Sequence, residues 1–213
     1  MDEFRFNTKL DQAVLLGIKV RNVEDLLESI RNVPPSSIYF HTHRFLQQHH
    51  YLSPEPPNDF AYWVSNVLGD DRLGEQLSSV DIVQFRAISE LREAFVGILS
   101  DYLKSSERRI DSPPGEEFHF MASRTFVFAT PYVVVNLAEF CEVLAKVSIN
   151  SLYYHIFDAA LRLEKGENDF SRWFRALGKV ALAEETERLD PYRHTLDGLR
   201  KRILIMARRD GTT

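Results

Sequence analysis

Seven histidines stand in the 213-residue chain, and four of them, His41, His43, His49 and His50, fall within ten residues. Imidazole ligates metals and moves protons near neutral pH, so this cluster is the first place to look for chemistry. Helix geometry tests the metal reading. Two ligands on one helix reach a common ion when they stand three or four residues apart, as in His-x-x-x-His zinc pairs. The spacings here are two, six, one, eight, seven and nine, and no Asp, Glu or Cys stands three or four residues from any of the four. His41 and His49 share a helical face but lie about 12 Å apart at 1.5 Å per residue. One continuous helix cannot chelate an ion with this cluster, so neither a metal nor another cofactor is assigned.

Other residues carry narrower signals. Asn58-Asp59-Phe60-x-x-Trp63 reads as a helix start, with Asn58 the cap and Asp59 favoured at the positive end of the helix dipole. The alternative use of Asp59 is to orient a histidine of the preceding helix, in a structural network or as part of a general base. The segment from His49 to Pro57 is dense in groups that bind or titrate, His49, His50 and Glu55 among them, on a proline-stiffened loop. Its plain reading is a rigid surface loop with solvated histidines. Cys141 lacks a Cys/His nucleophile signature, and a single cysteine excludes an internal disulfide framework. The glycine patterns of phosphate-binding loops, dinucleotide sites and serine-hydrolase elbows are missing too. Near the C-terminus Arg193, Arg200, Lys201, Arg202, Arg208 and Arg209 face only Asp197 over residues 193–209. That is either a solvated basic face or a contact for an acidic partner or nucleic acid. Because the whole chain carries a formal charge of -5, nucleic acid is the less favoured partner.

The elements that must position these residues are written twice. Ser37-Ile38-Tyr39-Phe40-His41 matches Ser151-Leu152-Tyr153-Tyr154-His155 at an offset of 114. The same offset aligns Phe4-Arg5-Phe6 with Phe118-His119-Phe120, Asn22 with Asn136, and Val33 with Val147. Asn58-Asp59-Phe60-x-x-Trp63 recurs as Asn168-Asp169-Phe170-x-x-Trp173 at an offset of 110, placing the only two tryptophans in one context. A repeat on this scale is a duplicated small domain. His41 therefore recurs as His155, and Asp59 as Asp169, while His43, His49 and His50 have no counterpart. Residues kept in both copies are most simply what the fold needs, each histidine a neutral core imidazole bonded to a carbonyl or carboxylate. A sharper alternative packs the copies about a pseudo-twofold with His41 facing His155 in a composite pocket.

In copy one, Asn22 predicts an N-cap for a helix with Val23, Leu26, Leu27, Ile30 and Val33 inward, ended by Pro34-Pro35. Ser36 or Ser37 opens a second helix and Asn58 a third. Asp81 is expected to cap a long fourth through Leu91, Phe95 and Leu99. Copy two predicts the same series from Asn136, Asn150, Asn168 and Asp190. Residues 125–135 read as extended, whereas Leu10 to Val20 is open to a helix. The expected fold is mainly α: a tandem duplication of about five helices per copy, related by a pseudo-twofold, with at most short strands near each copy's start. Expected boundaries are 1–105 for the first repeat, 106–115 for a polar linker and 116–213 for the second.

Composition bounds the class. With 44% hydrophobic residues the chain has material for a core, and nine glycines with nine prolines exclude low-complexity readings. The longest apolar run, Thr125 to Leu137, is too short to span a bilayer, so no membrane partner is expected. The N-terminal residues lack a signal-peptide pattern, and with one cysteine the expected compartment is the reducing cytoplasm.

The stretch from Ser37 to Leu46, continued through Leu52-Ser53-Pro54-Glu55-Pro56-Pro57-Asn58-Asp59-Phe60 to Val64, resembles an uncharacterised family of bacterial and archaeal proteins that carries only an unknown-function label. The resemblance extends over nearly the whole chain, including Asn168-Asp169-Phe170-Ser171-Arg172-Trp173. It implies a prokaryotic, cytoplasmic protein of unassigned activity and brings no catalytic residues. The leading expectation is a non-enzymatic ligand- or protein-binding or scaffold protein, open to homodimerisation, with His41, His43, His49, His50, Glu55, Asp59, His155 and Asp169 as candidate contact residues. Its rivals are a metal-dependent enzyme or sensor using the His41–His50 cluster with Asp59, and nucleic-acid contact through the C-terminal basic helix.

Overall fold

A computed structural model of the protein describes residues 3–48, 58–82, 84–106, 109–159, 167–189 and 194–211, with only the backbone of residues 45–48. Each copy opens with a long strand. Strand β1 spans Phe4–Val20 and β2 spans Phe118–Val134, 17 residues each, paired in one two-stranded sheet. Thr130 Oγ1 donates to the Phe6 carbonyl and Ser123 Oγ to Asp11 Oδ1, so the partner number falls as β1 advances and the strands run antiparallel.

The sheet corrects the expectation of a mainly helical body with at most short strands: its two strands are 17 residues each. Residues 10–20 do have helix-compatible apolar spacing, but pairing with β2 satisfies their backbone, and tertiary pairing overrides local preference. Gly17 sits at φ 73°, a left-handed value that a helix interior does not take.

Five helices follow β1: α1 Val23–Asn32, α2 Pro35–Gln48, α3 Asp59–Asn66, α4 Asp71–Ser78 and α5 Ile88–Ser105. After β2 come α6 Leu137–Leu144 and α7 Ile149–Tyr153, which runs into a π-helical turn, Tyr154–Asp158. Helices α8 Asp169–Ala176, α9 Val180–Glu187 and α10 Leu196–Gly211 complete the described elements. Four caps sit where asparagine places them, the Asn22, Asn58, Asn136 and Asn168 side chains each accepting the N–H three residues on. Other starts differ from the sequence reading. Helix α2 begins at Pro35, ahead of Ser36 and Ser37. Asp81 lies ahead of α5, which begins at Ile88 without a side-chain cap. Asp70 caps α4 instead. In copy two Ser148, not Asn150, caps α7, and Asp190 lies outside the described residues.

The described residues form two compact units, and neither is a contiguous run. One holds residues 3–10 with 125–211, the other 11–48 with 58–124. The start of β1 thus belongs with the helices of copy two, and the start of β2 with the helices of copy one. In the first unit Phe4 and Phe6 sit among Phe140, Phe170 and Trp173, with ring centroids 5–6 Å apart. In the second, Phe118 meets Phe60 at 5.5 Å and Trp63 at 5.7 Å. The duplicated Phe-x-Phe is the alternating inward face of a strand inserted into a helical core.

Candidate functional site

Ser37 and His41 stand four residues apart on α2 and so share a face. His41 is buried, and its Nδ1 lies 2.8 Å from Oδ2 of Asp59, the first residue of α3. The Met121 N–H donates to His41 Nε2 at 2.9 Å, while Ser37 Oγ donates to the Met121 carbonyl at 2.6 Å. Both backbone polar groups of one β2 residue are therefore held by α2. The other unit repeats the arrangement on the residue 114 positions earlier. The Asn7 N–H donates to His155 Nε2 at 2.8 Å, Ser151 Oγ donates to the Asn7 carbonyl at 2.6 Å, and His155 Nδ1 lies 2.8 Å from Asp169 Oδ2.

The protonation state follows from the partners. A nitrogen that accepts a backbone N–H carries no proton, so each Nε2 is bare and each Nδ1 donates to its carboxylate. Each imidazole is neutral with both nitrogens engaged, and neither is left to bind a metal or take a substrate proton. The rings are also walled in. Phe118 and Phe60 lie 4.7 and 5.5 Å from His41, and Phe4 and Phe170 lie 4.9 and 5.6 Å from His155. The repeated Ser-x-x-x-His with its aspartate is a strand clip.

The remaining candidates are dispersed. His43 is buried, stacked on Tyr39 at 5.3 Å, with Nδ1 3.0 Å from Thr42 Oγ1. His49, His50 and Glu55 lie outside the described residues. Asp59 and Asp169 differ in setting, their side chains 37% and 6% exposed, and Arg172 also reaches Asp169 at 3.4 Å. Among the described residues no group of three or more His, Cys, Asp or Glu is placed to hold a metal ion. On the basic C-terminal helix, Arg209 pairs with Glu185 at 2.7 Å and Arg200 lies 3.9 Å from Asp197.

Sequence reasoning missed the two serines, although their i, i+4 spacing to the histidine in both copies was the signal. It also missed a buried ion pair, Lys9 Nζ to Asp158 Oδ2 at 2.6 Å, with the ammonium 4.7 Å above the Tyr153 ring. A lysine in a strand and an aspartate 149 residues later give no local hint of one another. Cys141 is buried on α6, and burial raises its thiol pKa above the ordinary value, with Arg208 beside it acting more weakly in the opposite direction.

The chain belongs to DUF5752, a family of unknown function, which matches residues 1–208. It is similar in fold to OrfY from Thermoproteus tenax, with a TM-score of 0.84 and 27% identity, over 100% of this chain and 97% of that one. No curated protein matches at a significant level. Among the described residues no helix is long and apolar enough to cross a membrane.

Proposed function

We propose that the protein is a non-catalytic binding or scaffold protein that associates with a second copy of itself along β2. One observation carries the reading. Phe126, Val127 and Phe128 are consecutive and 42%, 50% and 50% exposed. A strand with one covered face alternates buried and exposed side chains, so three open positions in a row leave both faces of this stretch uncovered. Tyr132 and Val133, each 36% exposed, extend it. Together these side chains present roughly 400 Å² of surface, the size of patch that often marks an interaction site.

A second copy fits this surface because an antiparallel strand edge is its own complement across a twofold axis. Among the described residues the sheet has two strands, so β2 has one strand neighbour there. Pro131 lacks an N–H and limits new pairing to the residues before it. An interface of this size is small, which fits a weak, concentration-dependent dimer. Strand clips that occupy both nitrogens of His41 and His155 support binding over catalysis. The family resemblance and a lone buried thiol support a prokaryotic cytoplasm as the setting.

Sedimentation velocity over a concentration series tests the association. The wild type is expected to shift from monomer to dimer, and Phe126→Glu with Phe128→Glu to remain monomeric with unchanged helicity. A wild type monomeric throughout, or a dimer indifferent to these substitutions, would overturn the reading.

A further inference from the structure

Helices α9 and α10 have counterparts in copy one that match position by position. Helices α4 and α9 are eight residues each at an offset of 109, and Leu73, Gly74 and Leu77 are buried where Leu182, Ala183 and Thr186 are. Leu91, Phe95 and Leu99 of α5 fall 108 residues before Leu199, Ile203 and Ala207 of α10, and all six are buried. The inward faces therefore agree. The outward faces do not, since Arg188, Arg202 and Arg209 stand at these offsets where copy one has Ser79, Ala94 and Asp101. Copy one builds the same helices without them, so the three arginines are not what the fold needs.

All three line one cleft of about 560 Å³ between α9 and α10, together with Glu185, His194 and Leu189. Their roles in it differ. Arg209 is held by Glu185 at 2.7 Å and Arg188 by Glu184 at 3.3 Å, so these two act through their charge while their donors are engaged. Arg202 is exposed and makes no hydrogen bond or ion pair among the described residues. Leu189 is half-buried, which leaves part of its side chain open to the cleft. In a chain of formal charge -5, a concave site with three arginines and one carboxylate concentrates anions locally.

We propose that this cleft binds a small phosphate ester, its phosphoryl oxygens on the Arg202 guanidinium and its carbon body against Leu189. A planar guanidinium presents paired N–H groups that match two phosphoryl oxygens. A dianion also gains more than a single carboxylate from the surrounding positive field. The volume is that of a small-ligand site, larger than a bare ion requires. The proposal does not depend on association along β2.

Isothermal titration calorimetry at low salt in phosphate-free buffer tests it, with phenyl phosphate, inorganic phosphate and a single-stranded oligonucleotide as probes. Wild type is expected to bind phenyl phosphate saturably, and more tightly than inorganic phosphate. Arg202→Gln should lose about tenfold or more in affinity with unchanged helicity, because the side chain it shortens holds no other group of the fold. Lys201→Gln removes the same charge from an exposed neighbour outside the cleft and should bind like wild type. So should Phe126→Glu with Phe128→Glu. Leu189→Ala should weaken phenyl phosphate and leave inorganic phosphate unchanged. Wild type without saturable binding, equal losses in Lys201→Gln and Arg202→Gln, or a preference for the oligonucleotide would overturn the proposal.

Discussion

The two strand clips invite direct comparison. Both hold a neutral histidine between an aspartate and a backbone N–H, with nearly the same distances of 2.8 and 2.9 Å. Around that shared centre the units part. Asp169 is buried and Asp59 is over a third exposed. One step along the helix, unit one pairs Asp158 with the buried Lys9 of β1, whereas at the matching positions unit two has Arg44 over the Phe40 ring and Ser123 bonded to Asp11. Duplication has kept what holds a strand to a helix and has let the surroundings change. A functional difference between the copies belongs in those surroundings.

Unequal burial predicts unequal costs. His155→Ala takes the imidazole from a buried carboxylate, which keeps Arg172, and from a half-buried N–H, and should destabilise the protein by about 3 kcal/mol in urea titration. His41→Ala removes the same bonds from an aspartate that water reaches, so about 1–3 kcal/mol is expected. Equal losses would mean that the difference in burial does not govern the energetics. Lys9→Met should cost about 3 kcal/mol, with most of it recovered in Lys9→Met/Asp158→Leu, because removing both partners leaves no stranded charge. A double variant no better than the single would show that the pair is not the source. Ser37→Ala and Ser151→Ala should each cost about 1 kcal/mol, and equally, since each loses one hydrogen bond to a strand carbonyl.

The smallest effect concerns pH. Burial holds the Cys141 thiol pKa above the ordinary value, so the protonated form is the one the fold favours. The associated stability is complete below the ordinary thiol range and is lost as pH rises through the elevated folded value. Alkylation should be slow at pH 8 compared with a free thiol and quicken only at more alkaline pH. A rate matching free cysteine would place the sulfur in water.

Much of this was legible in the residues. The repeats, the four asparagine caps and the alternative in which Asp59 orients a histidine of the preceding helix all rest on local spacing, which a helix converts directly into geometry. The strands were hidden for a physical reason. Residues 10–20 have no helix-breaking sequence apart from Gly17, and their extended state is set by β2, more than a hundred residues away in the chain. Pairing at that distance leaves no local trace, and neither does the Lys9–Asp158 contact. The exchange of strand starts between copies was equally silent, since Phe-x-Phe looks the same whichever core it enters.

The claim at the centre is that His41 and His155 hold strands in place of doing chemistry. Nitrogen NMR of the imidazoles at pH 7 addresses it most directly. Both rings should show a protonated Nδ1 and a bare Nε2, with couplings across the hydrogen bonds from the Met121 and Asn7 amides. A proton on Nε2 of either ring, or amides at Met121 and Asn7 that show no such coupling, would contradict the account.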